Sequence, residues 1–236
     1  MNNVGQNFKA FLKCSFPNFY SRMEKTSLGK RKKKKMQKQF REHSTEVFQL
    51  FFGALRESNT QFWLACGTLL GAVRENGFIK GDCDMDIGVF DNADFDLLDS
   101  VLKKKGFELK RRIDIYSKNG FKGFELTYAQ RGVGVDVFVF HREDERHIYM
   151  CDFADTITIG KYKLHQYVRK IVVPFDGLMD YEFMGFNVFI PVNFKEYLSA
   201  HYGDDFMTPK PNWGVWDSPA LQVIDGAVGI EILKQK

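Results

Sequence analysis

Three aspartates in this sequence occupy positions where a charged side chain is costly. Asp84 and Asp86 alternate with apolar residues and lead directly into the apolar run 87–89, while Asp136 stands alone inside the strongly apolar run 134–140. Burying an unpaired carboxylate is expensive, so a compensating cation is expected. Mg²⁺ prefers oxygen ligands and bridges carboxylates to substrate phosphates. The pattern therefore predicts a metal site for phosphoryl chemistry.

The strength of this prediction depends on how the two segments are arranged. Side chains alternate between the faces of a strand, so Asp84 and Asp86 share one face. If the strand with Asp136 pairs beside them, three carboxylates converge and can hold one or two metal ions. The alternative is that these aspartates cap turns or pair with arginine. A DxD pair by itself is a weak signal, but the second Asp-bearing apolar strand favours the metal site.

Hydrophobic periodicity predicts the elements that must position these groups. Helices are predicted over 33–57 and 67–73, and over 92–105 with Asp91 or Asn92 as the N-cap. A further helix is predicted from Asn193 to about Gly203, with Glu196 completing a capping box. Strands are predicted over 62–65, 85–90, 124–130, 135–140, 157–164 and 168–173. The segment 209–219 is predicted to be an ordered loop.

Length and charge limit the domain organisation. The 236 residues carry a formal net charge of only +4, but a dense basic run begins at Lys30 and ends at Lys35. We predict a basic N-terminal extension over 1–38 and a catalytic domain over 39–236. The basic run is interpreted as a solvated start to a helix, with contact to anionic lipid or glycan left open. The modest net charge gives no reason to expect nucleic acid as a partner, and salt-sensitive RNA binding by the run is the minor alternative.

The cysteines and the apolar runs bear on localisation. The four cysteines form no CxxC pair and no zinc-type spacing, which favours reduced thiols. No signal-peptide pattern and no run of about 20 apolar residues is found. A cytoplasmic protein is expected, with peripheral contact at the inner face of the membrane through the basic run left open.

One long segment resembles a known family. Residues 67–89 read GTLLGAVRENGFIKGDCDMDIGV. This closely resembles the signature of the LicD family, which includes bacterial phosphocholine transferases and is related to fukutin and fukutin-related protein; its usual form is close to GTLLGAVRHxGFIPWDDDIDIG. A weaker block, from Pro174 to Pro209, is similar to the C-terminal pattern of the family. Lys80-Gly81 replaces Pro-Trp, and Cys83 replaces an aspartate.

The resemblance implies a fold and a set of roles. The fold class would be α/β (α+β), with a nucleotidyltransferase-like mixed sheet flanked by helices. Asp84, Asp86 and Asp136 would act as catalytic and metal-binding residues for Mg²⁺, or for Mn²⁺ in its place. Gly67, Thr68, Arg74 and Lys80 would bind the donor phosphates, since glycine allows close backbone approach and guanidinium matches phosphate oxygens.

The implied activity is a transfer of a substituted phosphate. The expected enzyme moves phosphocholine, a phospho-alditol or a similar group from a CDP-linked donor to a glycan hydroxyl and releases CMP, in the synthesis of a surface polysaccharide such as capsule or lipopolysaccharide. Two alternatives stay open: a nucleotidyltransferase that acts on a small molecule, and a non-catalytic glycan-binding protein that retains the fold.

Overall fold

The strand that carries Asp84 and Asp86 lies directly beside the strand that carries Asp136. This arrangement is seen in a computed structural model that describes residues 27–211 and 213–233. The helices and strands follow one another in this order: α1 (Ser27–Glu57), β1 (Phe62–Leu64), α2 (Cys66–Glu75), β2 (Asp84–Phe90), α3 (Phe95–Lys104), β3 (Glu108–Ser117), β4 (Phe124–Gln130), β5 (Val133–Arg142), β6 (His147–Ile159), β7 (Tyr162–Pro174), β8 (Leu178–Phe183), β9 (Phe186–Pro191), α4 (Phe194–Tyr202), a 3₁₀ turn (Val215–Asp217), β10 (Leu221–Ile224) and β11 (Ala227–Ile232).

One large sheet dominates this α+β arrangement. β1 pairs antiparallel with β2, and β2 pairs parallel with β5. From β5 the hydrogen bonding continues through β4, β3, β11, β7 and β6 and returns to β5, so that six strands form a closed circuit. β8 and β9 form a separate hairpin. The mixed α+β class is confirmed, whereas strand pairing alone does not identify the nucleotidyltransferase-like arrangement.

One face of the parallel pair β2–β5 is buried because the side chains that project from it are apolar. Met85, Ile87, Val135 and Val137 are fully or almost fully buried. β1 packs on the outer side of this pair, where Trp63 pairs with Gly88. A Cβ atom on Gly88 would lie 2.4 Å from the Trp63 ring, so only glycine allows the indole to lie flat against β2.

Helix α1 covers the sheet through one apolar stripe. Its Phe48, Phe51 and Leu55 are buried, and they recur at the spacing of an amphipathic helix. The ring of Phe48 packs edge-on against Phe183 of the β8–β9 hairpin, with 5.6 Å between ring centroids. The helix therefore joins the hairpin to the main sheet and is long enough to carry its first turns beyond the core.

Several sequence predictions are confirmed and others need correction. The helix predicted over 92–105 begins at Phe95, because Asp94 is the N-cap and its carboxylate accepts a hydrogen bond from the Leu97 amide at 2.9 Å. The capping box at Asn193 is wrong: no side chain caps that helix, and Asn193 accepts a hydrogen bond from the Asp176 amide instead.

The strand predicted over 157–164 is divided by a turn. Gly160, at a φ of 58°, lies between β6 and β7, and the two strands pair along their whole length as a hairpin. β3 and the strands β8 to β11 were not predicted. The 209–219 segment lies outside the strands but contains the 3₁₀ turn, and Asn212 is outside the described residues.

The boundary predicted at residue 38 falls inside α1, and residues 1–26 lie outside the described part of the chain. The division into extension and domain stays a prediction. Cys66, Cys83 and Cys151 are free thiols, as expected, and Cys14 lies among the residues not described. Across the described helices, none is both long and apolar enough to cross a bilayer.

The buried His201 in α4 makes stability depend on pH. Its burial lowers its pKa to about 4, while an unfolded histidine titrates near 6.5. Protonation of His201 therefore favours the unfolded chain. The stability that neutral His201 contributes is fully present above pH 6.5 and is lost as the pH falls towards 4. Within this window we expect a loss of about 1.4 kcal/mol per pH unit from this group.

Urea unfolding of wild type and His201→Gln between pH 7 and pH 5 measures this contribution. The variant should lose stability less steeply on acidification. Parallel curves for the two proteins would show that His201 does not titrate in this way.

Candidate functional site

The register of two parallel strands brings the predicted carboxylates together. Asp86 of β2 lies opposite Asp136 of β5, and Asp84 lies opposite Gly134. Partners in neighbouring strands project from the same face, so all three aspartates share one face. Gly134 leaves this face open, since a Cβ atom there would lie 3.7 Å from the Cβ of Asp84. The expected convergence on one sheet face is confirmed, while the catalytic role of the residues stays a prediction.

The three carboxylates repel one another in a buried environment. Burial, reinforced by the charges of Asp136 and Asp82, raises the pKa of Asp84 to about 6. Burial and the charges of Asp84 and Asp136 raise the pKa of Asp86 well above its usual range. The pKa of Asp136 is also raised by burial, although Arg111 and Thr127 oppose the rise. Ionisation of these three carboxyl groups together is therefore unfavourable unless a cation offsets their charge.

Asp86 is fixed by the first turn of α2. Helix α2 has Ala65 as its N-cap, which provides no side-chain hydrogen bond. The amide of Thr68 donates to the Asp86 carboxylate at 3.2 Å, and the Thr68 hydroxyl accepts from the Asp86 amide at 2.9 Å. A carboxylate from β2 thereby satisfies an amide at the helix N-terminus and lies at its positive end.

Gly67 precedes Thr68 in the same turn. A Cβ atom at this position would lie 3.0 Å from the Asp86 carboxylate oxygen. Glycine is needed here because any side chain would crowd the carboxylate. Thr68 itself is buried, and both its amide and its hydroxyl bond to Asp86, so its contact with substrate phosphate stays a prediction.

Two side chains of the neighbouring strands, Thr127 of β4 and Arg111 of β3, contact Asp136. Neither was identified as a site residue from the sequence. The Thr127 hydroxyl donates to Asp136 at 2.5 Å, and the Arg111 guanidinium lies 3.6 Å from the same carboxylate oxygen. Arg111 also donates to the Thr127 hydroxyl at 3.1 Å and forms an ion pair with the buried Glu125. Burial raises the pKa of Glu125 to about 7, against the lowering effect of Arg111.

One of these residues carried a usable signal. Glu125 is a lone charge in an otherwise apolar strand, which is the feature that identified Asp136. Arg111 lies in the consecutive basic run 110–112, where nothing distinguishes it from a surface residue. Its position inside the site follows only from the pairing of β3 with β4.

A cavity of about 550 Å³ is bordered by Gly67, the residue that lies against the Asp86 carboxylate. Gly67, Arg74 and Lys80 line one side of this cavity, and aromatic side chains and a proline-rich segment line the other. Tyr202 and Trp213 contribute there, with their ring centroids 4.6 Å apart. The cavity therefore combines cations, a glycine turn and aromatic faces next to the acidic cluster.

The basic residues of the cavity differ in their contacts. Arg74 is largely buried and donates two hydrogen bonds to Glu75, at 2.8 and 3.2 Å, so its guanidinium already forms an ion pair. Lys80 is exposed at the rim. Trp213 borders the cavity, whereas Trp216 packs beneath the Arg169 guanidinium at 4.2 Å.

The carboxylate face suits a hard divalent cation. Carboxylate oxygens are the ligands that Mg²⁺ prefers, and their raised pKa values show that positive charge would stabilise them. Within residues 27–211 and 213–233 no group of three or more His, Cys, Asp or Glu side chains forms a ready-made metal cage. Mg²⁺ commonly uses one or two carboxylates and completes its shell with water and substrate phosphates, so such a cage is not required.

Comparison with known proteins places the chain in a family. Residues 59–193 match the family model described as LicD/FKTN/FKRP, nucleotidyltransferase domain. The match includes the glycine turn, the acidic cluster and Asp136. The chain belongs to the LicD family.

Its relatives include named transferases. The chain is 26% identical over 181 residues to ribitol-5-phosphate transferase FKTN of Mus musculus, and 27% identical over 181 residues to that of Homo sapiens. Each alignment covers 76% of this chain and 36% of the relative. It is 29% identical over 115 residues to ribitol 5-phosphate transferase FKRP of Mus musculus, over 42% of this chain and 23% of the relative. The chain thus spans about a third of the length of the FKTN proteins that it matches.

The link between Thr68 and Asp86 can be tested without any ligand. Thr68→Val keeps the side-chain shape but leaves the Asp86 amide without an acceptor, so we expect a loss of about 1–3 kcal/mol in the free energy of unfolding. Thr68→Ser keeps the hydroxyl and is the matched control. Equal losses for Val and Ser in urea titrations would show that the hydroxyl is not the stabilising group.

Proposed function

We propose that this chain is a Mg²⁺-dependent transferase that moves an alditol phosphate, such as ribitol phosphate, from a CDP-linked donor to a hydroxyl of a glycan. The observation that carries the proposal is the meeting of Asp84, Asp86 and Asp136 on one sheet face beside a cavity with Arg74 and Lys80. Membership of the LicD family and similarity to ribitol-5-phosphate transferases support the substrate class.

In this proposal each group of residues has a separate task. Asp84 and Asp86 hold Mg²⁺, with Asp136 as the third carboxylate. When bound, Mg²⁺ neutralises charge on the diphosphate and favours departure of the nucleotide. Arg74 and Lys80 offset charge on the diphosphate from the cavity side. Gly67 lets the backbone approach the phosphates.

The reaction balances with a single proton transfer. The acceptor hydroxyl oxygen forms a bond to the alditol-bearing phosphorus, and the bond from that phosphorus to the CMP oxygen breaks. The hydroxyl proton passes to Asp136, the carboxylate on β5 beside the pair on β2. Arg111 and Thr127 keep this carboxylate oriented. The aromatic faces of Tyr202 and Trp213 offer a stacking surface for the cytosine base.

The cellular setting follows from the same proposal. A soluble donor and a glycan acceptor suit an enzyme of surface-polysaccharide assembly, such as capsule or lipopolysaccharide, that works in the cytoplasm. Peripheral membrane contact through the basic run would place it near a lipid-linked acceptor.

Product analysis with CDP-ribitol, Mg²⁺ and a glycan acceptor tests the activity. We expect release of CMP that depends on Mg²⁺. Asp84→Asn and Asp86→Asn should slow it at least about 100-fold, because a bound metal ion contributes several kcal/mol to catalysis. Asp96→Asn, an equal charge change on the exposed face of α3, is the control and should leave the rate unchanged.

Two results would contradict the proposal. Release of pyrophosphate from CTP, without CMP release from CDP-ribitol, would identify a nucleotidyltransferase. Unchanged turnover in the Asp84→Asn and Asp86→Asn variants would exclude these carboxylates as metal ligands.

A further inference from the structure

The basic run of α1 lies just before Gln37, a residue that contacts the loop leading into β2. Successive residues of an α-helix are 100° apart, so Lys30, Lys33 and Gln37 fall on one stripe. The Gln37 side-chain amide donates to the Gly81 carbonyl at 2.8 Å. Gly81 belongs to the loop that leads from Lys80 into β2. The stripe therefore faces the loop that delivers the acidic cluster.

Packing fixes this side of the helix against the site. Phe40, one turn after Gln37, is buried, and its ring packs edge-on against Phe78 with centroids 4.9 Å apart. Phe78 in turn packs on Phe183, at 5.3 Å. Phe40 thus anchors α1 in the core one turn after Gln37, and this anchor sets the direction in which Gln37 points.

The preceding turn places Lys33 within electrostatic reach of the acidic cluster. Burial and the charge of Asp84 raise the pKa of the Cys83 thiol to about 12, and the Lys33 ammonium opposes this rise. Cys83 directly precedes Asp84, so the Lys33 charge acts at the N-terminal end of β2. The hydrogen bond of Gln37 to Gly81 independently places the next turn of α1 against the loop that precedes Cys83.

An anionic substrate needs such a charge at this place. Asp82, Asp84, Asp86 and Asp136 concentrate negative charge on one face, and this charge repels a diphosphate that approaches. Arg74 and Lys80 supply cations on the cavity side. Lys33 adds one on the side of α1, next to the loop that carries Lys80. A cation at a mouth also raises the local concentration of anionic ligands.

We propose that Lys33, with Lys30 on the same stripe, forms part of the binding site for a nucleoside diphosphate. The basic run is then a component of the substrate site and not a separate tail. This inference rests on the proposed function, because it assigns the residues to the same donor site. The usual form of the LicD signature has Pro-Trp in place of Lys80-Gly81, so this cluster of cations distinguishes the chain from that form.

The helix supplies a matched control. Lys35 is 160° away from Gln37 around the helix axis, by the same 100° step, so its ammonium lies on the opposite face. Lys33→Ala and Lys35→Ala remove the same charge from the same helix. Alanine is the best helix former, so neither change should unfold α1.

Calorimetric titration of the full chain with CDP in Mg²⁺ buffer tests the assignment. We expect Lys33→Ala to weaken CDP binding about fivefold, with a larger loss in Lys30→Ala/Lys33→Ala, and Lys35→Ala to match wild type. Lys33→Arg should restore most of the affinity. Equal thermal midpoints will show that the variants are folded.

The outcomes separate this inference from the proposed function. If wild type binds CDP and both single variants bind it equally well, the assignment of Lys33 is wrong and the proposed function stands. If wild type does not bind CDP, both are wrong. Binding to vesicles of phosphatidylglycerol and phosphatidylcholine that falls equally in both variants, without a change in CDP affinity, would assign the basic run to a membrane surface instead.

Discussion

Electrostatic repulsion among buried carboxylates is the constraint on which the rest of the structure depends. β2 and β5 pair in parallel with Asp86 opposite Asp136, and Asp84 lies two residues away on the same face. Such charges destabilise a fold unless they are bonded or neutralised. The surrounding elements meet this need in part: the first turn of α2 bonds Asp86, and the β3–β4 pair presents Arg111 and Thr127 to Asp136. The charge that is left makes the face suited to a cation and a phosphate-bearing substrate.

The same constraint explains where the glycines and the closed strand circuit matter. Gly67 leaves room for the Asp86 carboxylate, and Gly88 leaves room for the Trp63 ring where β1 pairs with β2. Within the circuit, β4 pairs with β5 and β3 pairs with β4, so that Arg111 lies beside Thr127 and reaches Asp136. A site with mutually repelling groups needs this support, because a looser frame would let the carboxylates separate.

Much of the site, but less of the fold, could be predicted from sequence. Asp136 could be identified as a candidate site residue because burying a single charged side chain in an apolar strand is costly unless the charge is compensated. Its alignment with Asp86 could not be predicted, since a shift of one residue in strand register would move it to the other face. Arg111 was missed because β3 carries charges at consecutive positions and shows no alternation. β10 and β11 were missed because short strands near the chain terminus depend on partners in β7 and β3 that are far away in sequence.

The central claim is that the face shared by Asp84, Asp86 and Asp136 binds a divalent cation. Anomalous diffraction from crystals of the full chain grown with Mn²⁺ tests it most directly, because the scattering locates the ion without reference to activity. The account predicts an anomalous peak bordered by the carboxylates of Asp84 and Asp86, and no such peak in crystals of Asp86→Asn. Mn²⁺ that supports turnover but gives no peak at these carboxylates would contradict it.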